Sequence, residues 1–286
     1  MIGVYDSGFG GLSVLRELHA RLPERDFLYL GDSGRAPYGG RDCDTLLDFG
    51  EQCTEHLFDE GCRLVVVACH TMSCVALRHL QRRYAGAGSA RRVLGVTIPA
   101  AEAAVAMSPG HIGIIGTTRT VLSRTFELEI AKLGPHIVSQ RPAPLLAPLV
   151  EEGWESSDVA RQIVERYVRG FDGIDTLVLA CTHYPLLLPA FLETCSARVL
   201  DPAPFVAERL ADWLERHPQF DTPGSGRVRA QCTSDPEPFR QHGTRFFGSE
   251  LHDVERLTVD AGRLRRHLDA QPIVGQFVRD VPRRRE

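Results

Sequence analysis

The sequence predicts an α/β protein built of two pseudo-symmetric parallel-sheet α/β domains that face a shared cleft. Three observations lead there. Short apolar runs alternate with helical patterns along the chain. The order of those runs repeats once. A cysteine follows the same run in each repeat.

The apolar runs are residues 2–5, 27–30, 64–68, 112–115 and 177–180, and each ends in small or polar residues. Continuous apolar runs bounded by turn signals fit strands of a parallel sheet covered on both faces. Helical patterns at 12–21, 45–60, 159–168 and 204–215 fall between them. Strand alternating with helix is the signature of the α/β class.

The repeat is read from three echoes. Ile2-Gly3-Val4-Tyr5-Asp6-Ser7 returns as Ile112-Gly113-Ile114-Ile115-Gly116-Thr117. Leu64-Val65-Val66-Val67-Ala68-Cys69 returns as Thr176-Leu177-Val178-Leu179-Ala180-Cys181. Arg92-Val93-Leu94-Gly95 returns as Arg198-Val199-Leu200-Asp201. Each echo comes about 110 residues after its original, in the same order, which points to two similar units. Ligands of open parallel sheets bind outside the carboxyl ends of the strands. Asp6-Ser7, Cys69, Thr117-Thr118 and Cys181 all sit at such ends. If the units face each other, the two cysteines approach one cleft from opposite sides; the alternative is two independent domains with separate sites.

Composition excludes several classes. With 286 residues, 43% of them hydrophobic, the chain can bury a sizeable core. A net charge of −4 gives no reason to expect a nucleic-acid or anionic-membrane partner. The run Arg283-Arg284-Arg285 reads as a solvated tail. No stretch is apolar enough to span a bilayer and the opening run reads as a strand, not a leader, so a cytoplasmic protein is expected. Eight cysteines without a C-x-x-C pair do not make a disulfide scaffold.

Asp6-Ser7-Gly8-Phe9-Gly10-Gly11 joins a strand to a helix, where glycines admit close backbone approach and the helix start favours an anion. Its spacing is not the dinucleotide fingerprint; a plain turn with Asp6 capping the helix is the simpler reading. Residues 31–40 form a Gly- and Pro-rich loop in which Arg35 either binds a carboxylate or makes a surface ion pair. Cys69-His70-Thr71 and Cys181-Thr182-His183 carry the most information. Each thiol ends a strand and begins the next turn or helix, where the field lowers a thiol pKa. Cys69, His70, Cys181 and His183 also admit a metal reading, but neighbours such as Cys69 and His70 rarely point at one ion. Gly116-Thr117-Thr118-Arg119-Thr120 is a donor-rich turn suited to a carboxylate. Glu151 either binds an ammonium or a histidine, or forms a solvated pair with Glu152. The remaining cysteines read as packing, with Cys74, one turn after Cys69, expected near the pocket.

Together these motifs resemble the glutamate racemase family, within the wider aspartate/glutamate racemase superfamily. The resemblance runs from Asp6-Ser7-Gly8 through Gly31-Asp32, Arg35, Pro37-Tyr38-Gly39, Ala68-Cys69, Thr71, Gly116-Thr117-Thr118 and Leu149-Val150-Glu151. It continues through Cys181-Thr182-His183-Tyr184-Pro185 to Thr233-Ser234-Asp235-Pro236 and Phe239. It implies that Cys69 and Cys181 are the catalytic acid and base, that Asp6 and His183 assist them, and that Glu151 lies close by. It implies that Asp6, Ser7, Pro37, Tyr38, Gly39, Thr71, Thr117, Thr118, Thr182 and His183 hold a small amino-acid substrate. It further implies no cofactor, no metal, a homodimer, and a role in cell-wall (peptidoglycan) synthesis. It divides the chain into 1–96 plus 208–286, completed by C-terminal helices, and 97–207. One departure stands out: where the family has Cys-Asn-Thr, this chain has Cys69-His70-Thr71, followed by Met72. His70 is expected to keep a hydrogen-bond donor at the substrate and to titrate near neutral pH.

The chemistry suits these residues. Racemisation takes the α-proton from one face and returns one to the other, so two opposed groups are needed. Thiols, with an ordinary pKa of about 8.5, can stand as one thiolate and one thiol near neutrality. The developing carbanion needs dipoles aimed at the carboxylate, which Thr117 and Thr118 can supply. The alternatives left open are a racemase of another amino acid such as aspartate, a carbanion-protonating decarboxylase or isomerase, a binding-only homologue and a metal-binding protein.

Overall fold

A computed structural model describes residues 1–86, 88–260 and 262–266; the basic run Arg283–285 lies outside them. The first unit comprises β1 (Ile2–Asp6), α1 (Leu12–Arg21), β2 (Phe27–Gly31), α2 (Cys43–Asp59) and β3 (Leu64–Val67). It continues with α3 (His70–Val75), α4 (Leu77–Tyr84) and β4 (Arg92–Gly95). Helix α5 (Thr97–Met107) leads into the second unit. There β5 (His111–Gly116), α6 (Thr118–Leu122), α7 (Thr125–Ala131), β6 (Ile137–Pro142) and α8 (Leu146–Glu151) come first. Then follow α9 (Asp158–Val168), β7 (Thr176–Ala180), α10 (Leu188–Thr194) and β8 (Arg198–Leu200). The chain returns through α11 (Ala203–Arg216) to β9 (Val228–Cys232), α12 (Pro236–Phe247), β10 (Val254–Asp260) and β11 (Arg263–Arg266).

The echoes in the sequence are echoes in topology. One sheet runs β11-β10-β9-β2-β1-β3-β4 and the other β6-β5-β7-β8. The order β2-β1-β3-β4 is thus repeated as β6-β5-β7-β8, all parallel. β1, β2, β3 and β7 are buried along their whole length, as runs covered on both faces must be. β6 was not legible: its residues are only partly buried and carry no continuous apolar run. The C-terminal segment adds three strands to the first sheet as well as α12, so it completes that unit with more than helices.

The largest apolar core is common to both units. It holds Val4, Leu15 and Leu210 with Leu179, Tyr184 and Phe191. Two separate clusters fill the outer faces of the sheets, one around Leu57 and Val65 and one around Ile114 and Phe126. Helix α11 buries Val206, Leu210 and Leu214 at helical spacing and packs on α1 of the first unit and α5. The expected boundary at 207/208 therefore falls inside a helix that both units use. A shared core, rather than a bare linker, joins the units, unlike two independent domains.

Candidate active site

In each sheet the chain leaves the first strand to one side and returns to the other. The strand order thus reverses between β1 and β3, and between β5 and β7. A crevice opens at such switch points, at the carboxyl ends of the strands. The two crevices face each other and enclose a cavity of about 290 Å³.

Of the residues expected at the site, Ser7, Pro37, Tyr38, Gly39, Cys69, His70 and Thr71 line this cavity from the first unit. Thr117, Thr118, Glu151, Cys181, Thr182 and His183 line it from the second. Asp6 does not; it is fully buried one layer behind. Gly8, Ala36, Gly40, Pro144, Ala147, Pro148 and Tyr184 also form the wall. The prolines and alanines among them supply shape and carry no chemical signal by which a sequence could single them out. Among the described residues no lysine or arginine lines the cavity, so an anion there is met by hydroxyls, backbone N–H groups and imidazole.

Each cysteine is backed by its own relay. The Cys69 thiol donates to Ser7 Oγ at 3.8 Å, and Ser7 Oγ donates to Asp6 Oδ2 at 3.4 Å. Cys69 also caps α3, accepting from Met72 N at 3.5 Å. On the other wall Cys181 Sγ lies 3.9 Å from His183 Nδ1, and His183 Nε2 lies 3.1 Å from Glu151 Oε1. Asp6 ties the two sides together: it accepts from Gly8 N at 2.9 Å and, across the unit boundary, from Thr182 Oγ1 at 3.3 Å. Asp6 is not the cap of α1, whose N-cap is Gly11.

Burial reshapes the ionisation of these groups. It pushes the Asp6 carboxyl up, against the charge of His183 and the Gly8 N–H. It pushes the Cys69 thiol up, with the Asp6 charge adding to the effect and the Met72 N–H opposing it. The expected lowering at the strand-to-helix turn is thus reversed for Cys69: one N–H contact is weaker than desolvation beside a carboxylate. Burial pushes His183 down, but its hydrogen bonds to Cys181 and Glu151 and their charges outweigh this and carry it up to about 10. His70 has no such partner. It is buried, its Nδ1 is sealed without a hydrogen bond, and its ring stacks on Phe126 at 6.0 Å. Burial alone takes it down to about 3, so the expected titration near neutral pH does not occur. A neutral imidazole still carries one N–H donor.

The threonines join the two units. Thr117 caps α6 by accepting from Thr120 N at 3.2 Å, and Thr71 Oγ1 lies 2.8 Å from Thr117 Oγ1. The loop over them is fixed by Asp32, whose buried carboxylate accepts from Arg35 Nε at 2.7 Å, from Thr233 Oγ1 at 2.8 Å and from the Tyr38 hydroxyl. Arg35 therefore makes an internal pair, neither a ligand contact nor a surface bridge. The Tyr38 hydroxyl is committed to Asp32, although Tyr38 also lines the cavity. Cys74 does not reach the cavity; it contacts Thr97 Oγ1 at 3.6 Å. Glu152 is exposed while Glu151 engages His183, so the two are not an equivalent solvated pair. Among the described residues no three His, Cys, Asp or Glu side chains group so as to hold a metal ion.

Residues 10–210 match the Asp/Glu/Hydantoin racemase family. A glutamate racemase of Geobacter metallireducens is 37% identical over 268 residues, covering 91% of this chain and 97% of the relative. One from Syntrophus aciditrophicus is 39% identical over 267 residues, covering 90% and 96%. The solved glutamate racemase of Francisella tularensis in complex with D-glutamate superposes with a TM-score of 0.84 at 29% identity, over 91% of this chain and 97% of that one. The Thermus thermophilus glutamate racemase in complex with beta-chloro-D-alanine gives 0.81 at 35% identity, over 90% and 96%. With the two-unit α/β fold, the facing switch-point crevices and a match over most of its length, the chain belongs to the Asp/Glu/Hydantoin racemase family, falls among its glutamate racemases, and is an isomerase.

Proposed function

We propose that this enzyme interconverts L- and D-glutamate by a two-base mechanism in which Cys69 deprotonates the D-enantiomer and Cys181 the L-enantiomer. The observation that carries the proposal is that Cys69 and Cys181, following equivalent strands of the two units, line the same cavity. A volume of about 290 Å³ suits a small ligand. The names of the relatives, and the D-glutamate bound to one of them, support glutamate as the substrate.

In the L-to-D direction Cys181 takes the α-proton as a thiolate, and Cys69 returns a proton from its thiol to the opposite face. His183, paired with Glu151, holds positive charge beside the Cys181 thiolate. Asp6, behind Ser7, assists Cys69. Negative charge developing on the substrate carboxylate meets Thr71, Thr117, Thr118, Thr182 and neutral His70, dipoles already in position before the proton moves. No cofactor takes part. Production of D-glutamate for peptidoglycan, in the cytoplasm and as a homodimer, belongs to the same proposal.

The test is proton NMR with L-glutamate in deuterated water, followed by chiral analysis. Loss of the α-proton signal with D-glutamate appearing is expected. Cys69→Ala and Cys181→Ala should each lower racemisation by at least about 10²–10⁴-fold, the usual contribution of a positioned acid or base. Full racemisation by Cys181→Ala sinks the mechanism. Exchange of aspartate but not glutamate reassigns the substrate and makes His70, which lines the cavity, the responsible residue; Met72 is buried in the core behind it.

A further inference from the structure

We propose that Arg245 and Phe246, neighbours on α12, are positioning residues for the His183–Glu151 pair and through it for the Cys181 half of the reaction; this rests on the two-cysteine reading above.

α12 belongs to the first unit. Its N-terminus is capped by Asp235, which accepts from Glu237 N at 3.1 Å. Just before it, Thr233 binds Asp32, and within it Phe239 packs 5.9 Å from Phe9. Its middle lies on α1 so closely that a Cβ on Gly243 would come within 2.8 Å of Leu12 Cδ1. The helix is therefore anchored to the first unit at both places.

Its last turn reaches the second unit. The fully buried Phe246 ring lies 5.2 Å from the His183 ring at 76°, an edge-to-face contact. Such a contact suits a ring that carries positive charge. Arg245 Nη2 donates to Val150 O at 2.9 Å and to Glu155 Oε1 at 2.5 Å. Val150 directly precedes Glu151 at the end of α8; its carbonyl, which also accepts from Gly153 N at 3.1 Å, meets the cation at the negative end of the helix. One residue thus holds the backbone that carries Glu151, and the next holds the ring that Glu151 contacts. Neither lines the cavity, so neither touches substrate. No hydrogen bond joins either to Cys69, Ser7 or Asp6, but Phe246 also packs on Phe9 at 5.9 Å, two residues after Ser7, which makes Arg245 the cleaner probe of the Cys181 half.

Racemisation is a poor readout of one half, since both directions need both cysteines. β-Elimination needs only one. With threo-3-chloroglutamate, a base takes the α-proton, the C–H electron pair becomes the Cα=Cβ bond, and chloride leaves; the enamine then hydrolyses to a 2-oxo acid and ammonium. The L form would call on Cys181 and the D form on Cys69. Chloride release from each form is measured for the wild type, Phe246→Leu, Arg245→Gln, Arg245→Lys and Cys181→Ala in the full chain. Release from the L form is expected to fall about tenfold or more in Phe246→Leu and Arg245→Gln, with the D form held within about twofold. Arg245→Lys, which keeps a donor, should recover most of the loss. Retained D-form release also reports that each variant is folded; Arg245, being partly exposed, guards against Phe246→Leu failing on stability alone. Equal losses on both forms, or no loss on the L form, overturn the proposal. Undiminished L-form release by Cys181→Ala overturns the two-cysteine reading itself, and the proposal with it.

Discussion

Glu151 Oε1 and His183 Nε2 lie 3.1 Å apart, while the opposite nitrogen of the same ring faces Cys181 Sγ at 3.9 Å. One buried imidazole therefore links a partly exposed carboxylate to a thiol at the cavity wall.

This pairing makes stability depend on alkaline pH. His183 rises from an ordinary 6.5 to about 10 on folding. Between those values the folded chain holds a proton that the unfolded chain has lost. The stabilisation is complete below about pH 6.5 and disappears as pH climbs towards about 10. Glu151→Gln removes part of it, on the order of 1 kcal/mol once the exposure of Glu151 is discounted. Urea denaturation at pH 7 and pH 9.5 should show the gap between wild type and Glu151→Gln shrinking. A gap that stays constant or widens contradicts the assignment.

His70 acts at the other end of the scale and with the opposite sign. Its pKa falls to about 3 on folding, so between about pH 3 and 6.5 it is the unfolded chain that binds the extra proton. Stability is lost as pH falls through that window. His70→Asn should flatten the acid side of the stability profile, by on the order of 2 kcal/mol between pH 6.5 and 5. Identical acid sensitivity in the two proteins would falsify the account of a sealed, neutral ring.

Gly10 is another point at which the first unit presses on His183 and Thr182. A Cβ there would meet Thr182 Oγ1 at 2.4 Å and His183 Nδ1 at 2.6 Å. Gly10→Ala should cost about 1–3 kcal/mol, the usual range for overpacking. It should also lower kcat by about tenfold, because the displaced ring is the one beside Cys181. Thermal melting and steady-state kinetics check both; a variant with wild-type kcat means that His183 tolerates displacement.

Tyr38 and Asp32 separate support from contact. Because the Tyr38 hydroxyl serves Asp32, Tyr38→Phe should cost about 1 kcal/mol of stability and leave kcat within about threefold. Asp32→Ala strips the partner from Arg35, Tyr38 and Thr233 together and should cost about 3–5 kcal/mol. A large kcat loss in Tyr38→Phe with unchanged stability would instead place its hydroxyl at the substrate.

The sequence by itself determined the class of fold, the internal repeat and the positions of the two cysteines. These are written in local pattern: continuous apolar runs dictate buried parallel strands, and repeating them in order repeats the topology. The strand ends where Ser7, Cys69, Thr117 and Cys181 stand follow from the same runs. Only the tertiary structure decided what lies behind them. Asp32 meets Thr233 across 201 positions, and Asp6 meets Thr182 across 176; no local pattern encodes such pairings. Ionisation was equally out of reach. Whether Cys69 rises or falls, whether His70 titrates, and why His183 behaves differently from it depend on desolvation and on partners brought in by packing. Strand β6 and the three C-terminal strands were missed because their partial burial leaves no apolar run. Arg245 and Phe246 carry no motif at all; their relation to His183 and Glu151 exists because α12, seated on α1, ends against the other unit.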